Sequence, residues 1–325
     1  MLTTRFTRLV GCSIPIQQAG MGGFAKPSLA AAVADTGGLG MVSVFWLAPA
    51  EIVELLDGLR AQTAGVFGAN FIMHFVDPAL AHECIAVAAA RARVVDFFYS
   101  DPDATLVDIV HAGGALACWQ VGSREEAVAA AAAGCDFVIA QGIEAGGHVR
   151  GRIGLMALLN EVLAAVDVPV LAAGGIGSGR TMAAAMAAGA DGVRVGTRFV
   201  VAEEAGAHPV YVQALIAAEA QDTLYTDVFS VGWPHAPHRV LRSCVEAAEA
   251  FQGELVGEEH DMATGKRSPV HRFQPMTIGT SVNGAIEAMP HWAGESVSGV
   301  KRVQLAAEIV HELADDAEQL LRRWC

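Results

Sequence analysis

Phe137-Val-Ile-Ala-Gln-Gly-Ile-Glu-Ala-Gly-Gly-His-Val-Arg-Gly151 has the form of a buried strand running into a glycine loop. The apolar run Phe137–Ala140 comes first. Gln141–Gly151 then packs four glycines, a carboxylate and one histidine into eleven residues, and a segment of helical character opens at Leu155. Glycines let the backbone come close to a flat ligand or take positive φ. A single imidazole at the end of such a loop is placed for proton transfer or hydrogen bonding.

The same unit recurs in both directions. Short Val-, Ile- or Phe-rich runs lie at Ile14–Ala19, Leu39–Val42, Val66–Asn70, Val94–Tyr99, Ala115–Val121, Val168–Ala172 and Gly192–Val195. They are mostly unalternated, as strands buried on both faces of a parallel sheet are. Helical segments fall between them at Pro27–Asp35, Pro49–Ala61, Pro78–Ala90, Pro102–Ala112 and Arg124–Ala133. Four open on a proline, a good first helical residue, and Ser123 can cap the fifth. Strand starts are spaced by roughly 20 to 30 residues, the length of a βα unit. Eight units in a row predict an α/β fold of the (β/α)8 barrel type, with an open doubly wound sheet as the alternative.

The barrel count closes near Ala207, and Pro209–Ala220 reads as a helix. Beyond it His, Trp and Pro become frequent, with charge clusters such as Gly257-Glu-Glu-His-Asp261. The expected division is a barrel over 1–220, a smaller lid or substrate domain over 221–300, and a terminal helix over 301–325 packing back on the barrel. Leu305, Ile309, Leu313 and Leu320 give that helix an apolar stripe.

With 325 residues, 53% of them hydrophobic and 17% charged, the chain is a folded globular protein. No charge-free run reaches the roughly 18 residues of a spanning helix. The opening residues, broken by Gly11, Pro15, Gln17 and Gln18, are not expected to act as a secretory signal. A cytoplasmic, non-membrane protein is expected. A net charge of −14 without a basic stripe speaks against nucleic acid and weakly against an acidic carrier protein. Cys12, Cys84, Cys118, Cys135, Cys244 and Cys325 show no metal spacing, and most of them read as core residues. Nothing argues against a homodimer.

In such a barrel the active face is built from the loops after the strands. The loops after the seventh and eighth strands are the usual phosphate site, which makes Gly174, Gly175, Gly196 and Thr197 a phosphate cradle. A ring system across the mouth would then meet the neutral amides Asn70, Gln120 and Gln141, which both donate and accept. FMN suits this better than a dinucleotide, because no GxGxxG fingerprint with a downstream acid is present.

Ile14–Gly23 (IPIQQAGMGG), Ala34–Ser43 (ADTGGLGMVS), Phe67–Phe71 (FGANF), Ala140–Gly151 (AQGIEAGGHVRG), Val168–Gly179 (VPVLAAGGIGSG), Asp191–Val200 (DGVRVGTRFV) and Ala207–Tyr211 (AHPVY) together resemble the nitronate monooxygenase (2-nitropropane dioxygenase) family. That family in turn resembles FMN-dependent enoyl-acyl-carrier-protein reductases and some NADH:quinone reductases. The resemblance covers about residues 5–211 and continues weakly through His291–Ser296. It implies FMN contacts at Gly20, Met21, Gly22, Asn70, Gln120, Gln141, Ala145, Gly146, Gly147, Gly174, Gly175, Gly196 and Thr197. It implies His148 as the catalytic residue, taking the α-proton of a nitroalkane or hydrogen-bonding its nitro group. The reaction it implies is oxidation of alkyl nitronates or nitroalkanes with O2 and no pyridine nucleotide. Some family members carry lysine, aspartate and histidine at the positions of Gln120, Gln141 and Phe98.

A second expectation is an NAD(P)H-dependent FMN reductase acting on an enoyl thioester or quinone, and a third is a non-catalytic flavin-binding barrel. His235, His238, His260 and His271 lack a metal-ligand pattern, so no metal is expected. Glu144 reads as a hydrogen-bonding partner of loop backbone rather than a second acid. Arg194 is to be paired inside the barrel or at its bottom, and Trp292 either anchors the lid or covers the flavin.

Overall fold

The structure is a computed structural model that describes residues 2–260 and 265–323; of the residues named above, Asp261 and Cys325 lie outside them. The strands up to residue 195 are β1 (Ile16–Gln18), β2 (Gly40–Ser43), β3 (Phe67–Ile72), β4 (Val94–Phe98), β5 (Leu116–Val121), β6 (Phe137–Gln141), the two-residue β7 (Gly147–His148), β8 (Val170–Ala173) and β9 (Gly192–Val195). All but β7 form one sheet in the order β1-β9-β8-β6-β5-β4-β3-β2, with every pair parallel. A parallel bridge between Gln17 and Leu39 brings the two ends together, so the sheet closes into the expected (β/α)8 barrel.

The surrounding helices are α1 (Arg5–Val10), α2 (Pro27–Asp35), α3 (Pro49–Gln62), α4 (Ala81–Ala89), α5 (Ala104–Ala112), α6 (Arg124–Ala132), α7 (Leu155–Leu163), α8 (Gly179–Ala187) and the single turn α9 (Thr197–Val200). Proline starts α2 and α3, and the Ser123 hydroxyl caps α6 by accepting from the Glu126 amide at 3.1 Å. Pro78 and Pro102 do not start helices. Asp77 first closes a turn onto the Ala79 amide, and Asp103 accepts from Thr105 N at 2.8 Å, so α4 and α5 begin a few residues later. Local carboxylate capping outweighs the proline preference there.

Alternation along each strand separates two sets of side chains. Leu39, Met41, Val94, Cys118, Phe137, Ile139 and Leu171 fill the barrel, and Phe6 and Val10 of α1 close it from below. Phe6 meets Phe137 edge-on, ring centroids 5.4 Å apart. Val95, Phe97, Trp119, Val138 and Val193 belong to the outer core under the helices. The same period of two puts Asn70, Asp96, Gln120, Gln141 and Arg194 on the inner face towards the strands' C-terminal ends. An apolar barrel floor therefore carries a polar layer directly beneath the mouth.

After α10 (Pro209–Ala217) come β10 (Thr223–Thr226), β11 (His238–Leu241), α11 (Arg242–Ala250), β12 (Leu255–His260), β13 (Arg267–His271), β14 (Val282–Gly284) and α12 (Ala306–Leu321). β12 pairs antiparallel with β13 and β14. β11 lies between β10 and β7, with His238 opposite His148 and Arg239 opposite Gly147. The loop after β6 thus shares a sheet with the segment beyond the barrel. α12 lies against α8 and α2. No helix among the described residues is long and apolar enough to cross a membrane. The five described cysteines are free and buried, and burial pushes the thiols of Cys12, Cys135 and Cys244 up to about 12.

Candidate active site

A cavity of about 470 Å³ opens at the C-terminal end of the barrel, and a smaller one of about 60 Å³ adjoins it on the side of β8 and β9. Ala19, Gln120, Gln141, Gly146, Arg194, Gly196 and Thr197 wall both. Gly20, Met21, Gly22, Gly147 and His148 line the larger space, and Ala145 and Gly174 the smaller. Asn70 and Gly175 line neither. Asn70 is buried one layer down, beneath Gly20, where a Cβ on that glycine would sit 2.3 Å from its Cγ.

The glycines differ in what requires them. Gly174 and Gly175 have φ of 101° and 67°, which side-chain-bearing residues rarely adopt. Gly146 is held by its neighbours, since a Cβ there would lie 2.3 Å from Gly294 N. Gly196 has no such constraint: its nearest protein atoms to a Cβ are Ala19 Cβ at 3.6 Å and Met21 Sδ at 3.8 Å. What a methyl group at Gly196 would encroach on is the space shared by the two cavities.

Arg194 is paired inside the barrel. Its Nη1 donates to Asp96 Oδ2 at 2.7 Å, both side chains are buried, and Asn70 Nδ2 donates to the same oxygen at 2.8 Å. Arg194 is the only permanently charged side chain among the described residues lining the cavities. Glu144 behaves as a loop residue, its carboxylate accepting from the Leu155 amide at 2.9 Å at the start of α7.

His148 stands at the centre of an aromatic cluster. Its ring stacks on Trp233 at 3.9 Å, with Trp292 and His238 each 5.3 Å away and Tyr99 at 5.9 Å. Burial, reinforced by His238 and His74, holds its pKa well below the ordinary 6.5, so the imidazole is neutral near pH 7. Its Nε2 is buried without a protein partner. Gln141 Nε2 donates to the His148 carbonyl at 3.0 Å, while Gln141 Oε1 is likewise buried and unpartnered. One ring nitrogen and one amide oxygen, on two residues that line the larger cavity, are thus left without a protein hydrogen-bond partner.

His238 is structural. Its Nε2 accepts from the Phe229 amide at 3.3 Å and its Nδ1 donates to the Ala236 carbonyl at 2.9 Å. Among the described residues no group of three His, Cys, Asp or Glu side chains could hold a metal ion. Trp292 does two things. It is tied down through Nε1 to the Met276 carbonyl at 2.7 Å and through its own carbonyl to the Tyr211 hydroxyl, and it also lines the cavity.

Sequence reasoning missed Trp233, Phe45, Trp46, Phe75 and Met276, which form the apolar wall, and Ser296, which lines the smaller cavity with Gly174 and Thr197. The Trp- and Pro-rich run Gly232-Trp-Pro-His235 was the available signal for the first of them.

The profile of the nitronate monooxygenase family matches residues 3–316. The chain is 34% identical to (3aS,4S,5R,7aS)-5-hydroxy-7a-methyl-1-oxo-octahydro-1H-indene-4-carboxyl-CoA dehydrogenase of Rhodococcus jostii, covering 79% of this chain and 70% of that one. It is 33% identical to the nitronate monooxygenase of Pseudomonas aeruginosa, covering 70% and 78%. Among solved structures, FabK of Thermotoga maritima superposes with a TM-score of 0.83 at 29% identity over 100% and 99% of the two chains. The nitroalkane oxidase of Streptomyces ansochromogenes gives 0.79 at 28% over 98% and 99%.

Proposed function

The chain belongs to the nitronate monooxygenase family of flavoprotein oxidoreductases, and on that premise we propose that it is an FMN-dependent enzyme that oxidises alkyl nitronates or nitroalkanes with O2. The observation that carries this reading is the pair of buried, unpartnered polar atoms, His148 Nε2 and Gln141 Oε1, on residues that line the larger cavity with Gly196 and Thr197, Gln141 also lining the smaller one beside Gly174. These features fit FMN. The Gly174 and Gly196–Thr197 backbone and the Ser296 hydroxyl, which line the smaller cavity, would hold the phosphate. Gln120 and Gln141 would meet the ring edge, with Gly20–Gly22 and Gly146–Gly147 against its faces. When bound, FMN supplies the electron acceptor that this chain's own side chains lack.

The protein's part is positioning and exclusion of water. A neutral His148 can donate from, or accept at, Nε2, and a nitro or nitronate oxygen is a matching partner. Trp233 and Trp292 both pack against the imidazole and keep its surroundings apolar, which strengthens that hydrogen bond. In this setting His148 would hold the substrate's nitro or nitronate oxygen and take an α-proton when a neutral nitroalkane is the substrate.

A thioester carbonyl is the second partner His148 could hold. The long aromatic wall and the resemblance to a carboxyl-CoA dehydrogenase favour it as the alternative. An enoyl thioester reduced at the expense of NAD(P)H is the form of that reading suggested by the likeness to FabK.

His148→Ala separates binding from turnover. The variant should retain FMN and lose about 10²-fold or more in kcat/KM with a neutral nitroalkane, the usual worth of a positioned proton-transfer group. Unchanged turnover in a flavin-loaded His148→Ala protein would remove the histidine from the mechanism.

A further inference from the structure

The barrel mouth has two unlike halves. Strand order sets β2, β3 and β4 across the barrel from β6, β9 and β8. The glycine loops lie on the second side, and the first supplies Phe45, Trp46, Ile72, Phe75 and Phe98 to the cavity wall. Phe45 is in edge contact with Trp46 at 4.4 Å and stacks on Phe75 at 5.6 Å. Phe75 meets Trp233 at 4.7 Å, and Trp233 in turn covers His148. An unbroken aromatic surface therefore runs from the imidazole to the rim. There Trp46 and Phe75 remain 51% and 41% exposed.

The chemistry of this half is narrow. Its side chains offer no charge, and the single permanently charged lining group, Arg194, is committed to Asp96 in the layer below. A substrate of three or four carbons held at His148 would leave most of this surface in water. Large aromatic side chains left exposed beside a cavity mark a site completed by an apolar ligand.

We propose that the substrate carries a bulky apolar portion, a ring system or branched hydrocarbon, which fills the half-cavity formed by Phe45, Trp46, Ile72, Phe75, Phe98 and Trp233 while its oxygen function meets His148. This inference rests on the His148 reading above for the placement of the oxygen. It is indifferent to whether that oxygen belongs to a nitronate or a thioester. Selectivity then comes from area: each additional buried methylene raises affinity roughly three- to fourfold.

The test uses FMN-loaded protein titrated with the unreactive ketones acetone, cyclohexanone and 1-decalone, followed by perturbation of the flavin spectrum and of tryptophan fluorescence. The dissociation constant should fall at least about 100-fold from acetone to 1-decalone, since part of each added methylene stays in contact with solvent. Trp46→Ala and Phe75→Ala, both at exposed positions where loss of the ring leaves the core intact, should each cut that ratio by about tenfold. A ratio within threefold, or one that both variants leave unchanged, overturns the proposal. Parallel assays with the nitronates of 2-nitropropane and nitrocyclohexane distinguish the two failures. Steep ketone selectivity without oxidation of either nitronate sinks the nitronate reaction and leaves the bulky ligand. Equal oxidation of both nitronates with flat ketone affinities does the reverse.

Discussion

The imidazole of His148 lies against the indole of Trp233, ring centroids 3.9 Å apart and planes 26° from parallel, although 85 residues separate them in the chain (233 − 148). This contact joins the loop after β6 to the segment beyond the barrel and lays an indole face against the buried imidazole. Trp233 also stacks on His74 at 4.8 Å.

Removing the indole should change how His148 titrates. Burial lowers the pKa of His148, so in the intact protein the imidazole stays neutral as pH falls through the ordinary histidine range. Activity that needs the neutral ring is retained there. In Trp233→Ala water reaches the ring, its pKa rises towards 6.5, and the acid limb of kcat/KM should move up by about one pH unit. Identical acid limbs in the two proteins would mean that Trp233 does not set the state of His148.

Gly196→Ala and Gly146→Ala should fail in different ways. The first meets only ordinary contacts in the protein, so its unfolding free energy should stay within about 0.5 kcal/mol of the parent. Its affinity for FMN, measured by fluorescence quenching, should drop at least about tenfold because the methyl group enters the ligand's space. The second would drive a Cβ to 2.3 Å from Gly294 N and should destabilise the protein itself. A Gly196→Ala protein that binds FMN as tightly as the parent would place the phosphate elsewhere.

Asp96→Asn removes the charge facing the buried Arg194 guanidinium. An unpaired buried cation should cost about 3–5 kcal/mol, read as a fall in the urea midpoint. Adding Arg194→Met removes the orphaned charge and should recover much of that loss. A double variant no more stable than Asp96→Asn would contradict the assignment of the cost to desolvation.

His291 provides a separate pH test. It is 2% exposed, stacks on Tyr211 and has its pKa lowered to about 4 by burial. A lowered histidine pKa means that the unfolded chain binds the proton first, so stability is present above pH 6.5 and is lost as pH falls towards 4. The full effect of this one group is about 3 kcal/mol over that window. Replacing it, as in His291→Gln, should flatten the dependence of the unfolding free energy on pH between 6.5 and 4, whatever the variant does to stability at pH 7.

The barrel was legible in the sequence because parallel strands buried on both faces become short, unalternated apolar runs such as Phe137–Ala140. The glycine loops were legible because backbone at positive φ leaves little choice of residue, as at Gly174 and Gly175. The partner of Arg194 was not, because Asp96 lies 98 residues away and pairs with it only once β4 and β9 face each other across the closed barrel. Trp233 and the aromatic wall were hidden for a related reason. Phe45, Phe75 and Trp233 come from separate loops, and a loop side chain has no periodicity to reveal which way it points. Pro78 and Pro102 misled in the opposite sense, as local signals that neighbouring carboxylates override.

The most direct measurement is anaerobic mixing of the FMN-loaded protein with an alkyl nitronate alone, followed by visible absorbance. The account predicts rapid loss of the oxidised flavin spectrum without any pyridine nucleotide, and a much slower loss in His148→Ala. A spectrum unmoved by the nitronate but bleached by NADH or NADPH would contradict it and assign the site to a reductase.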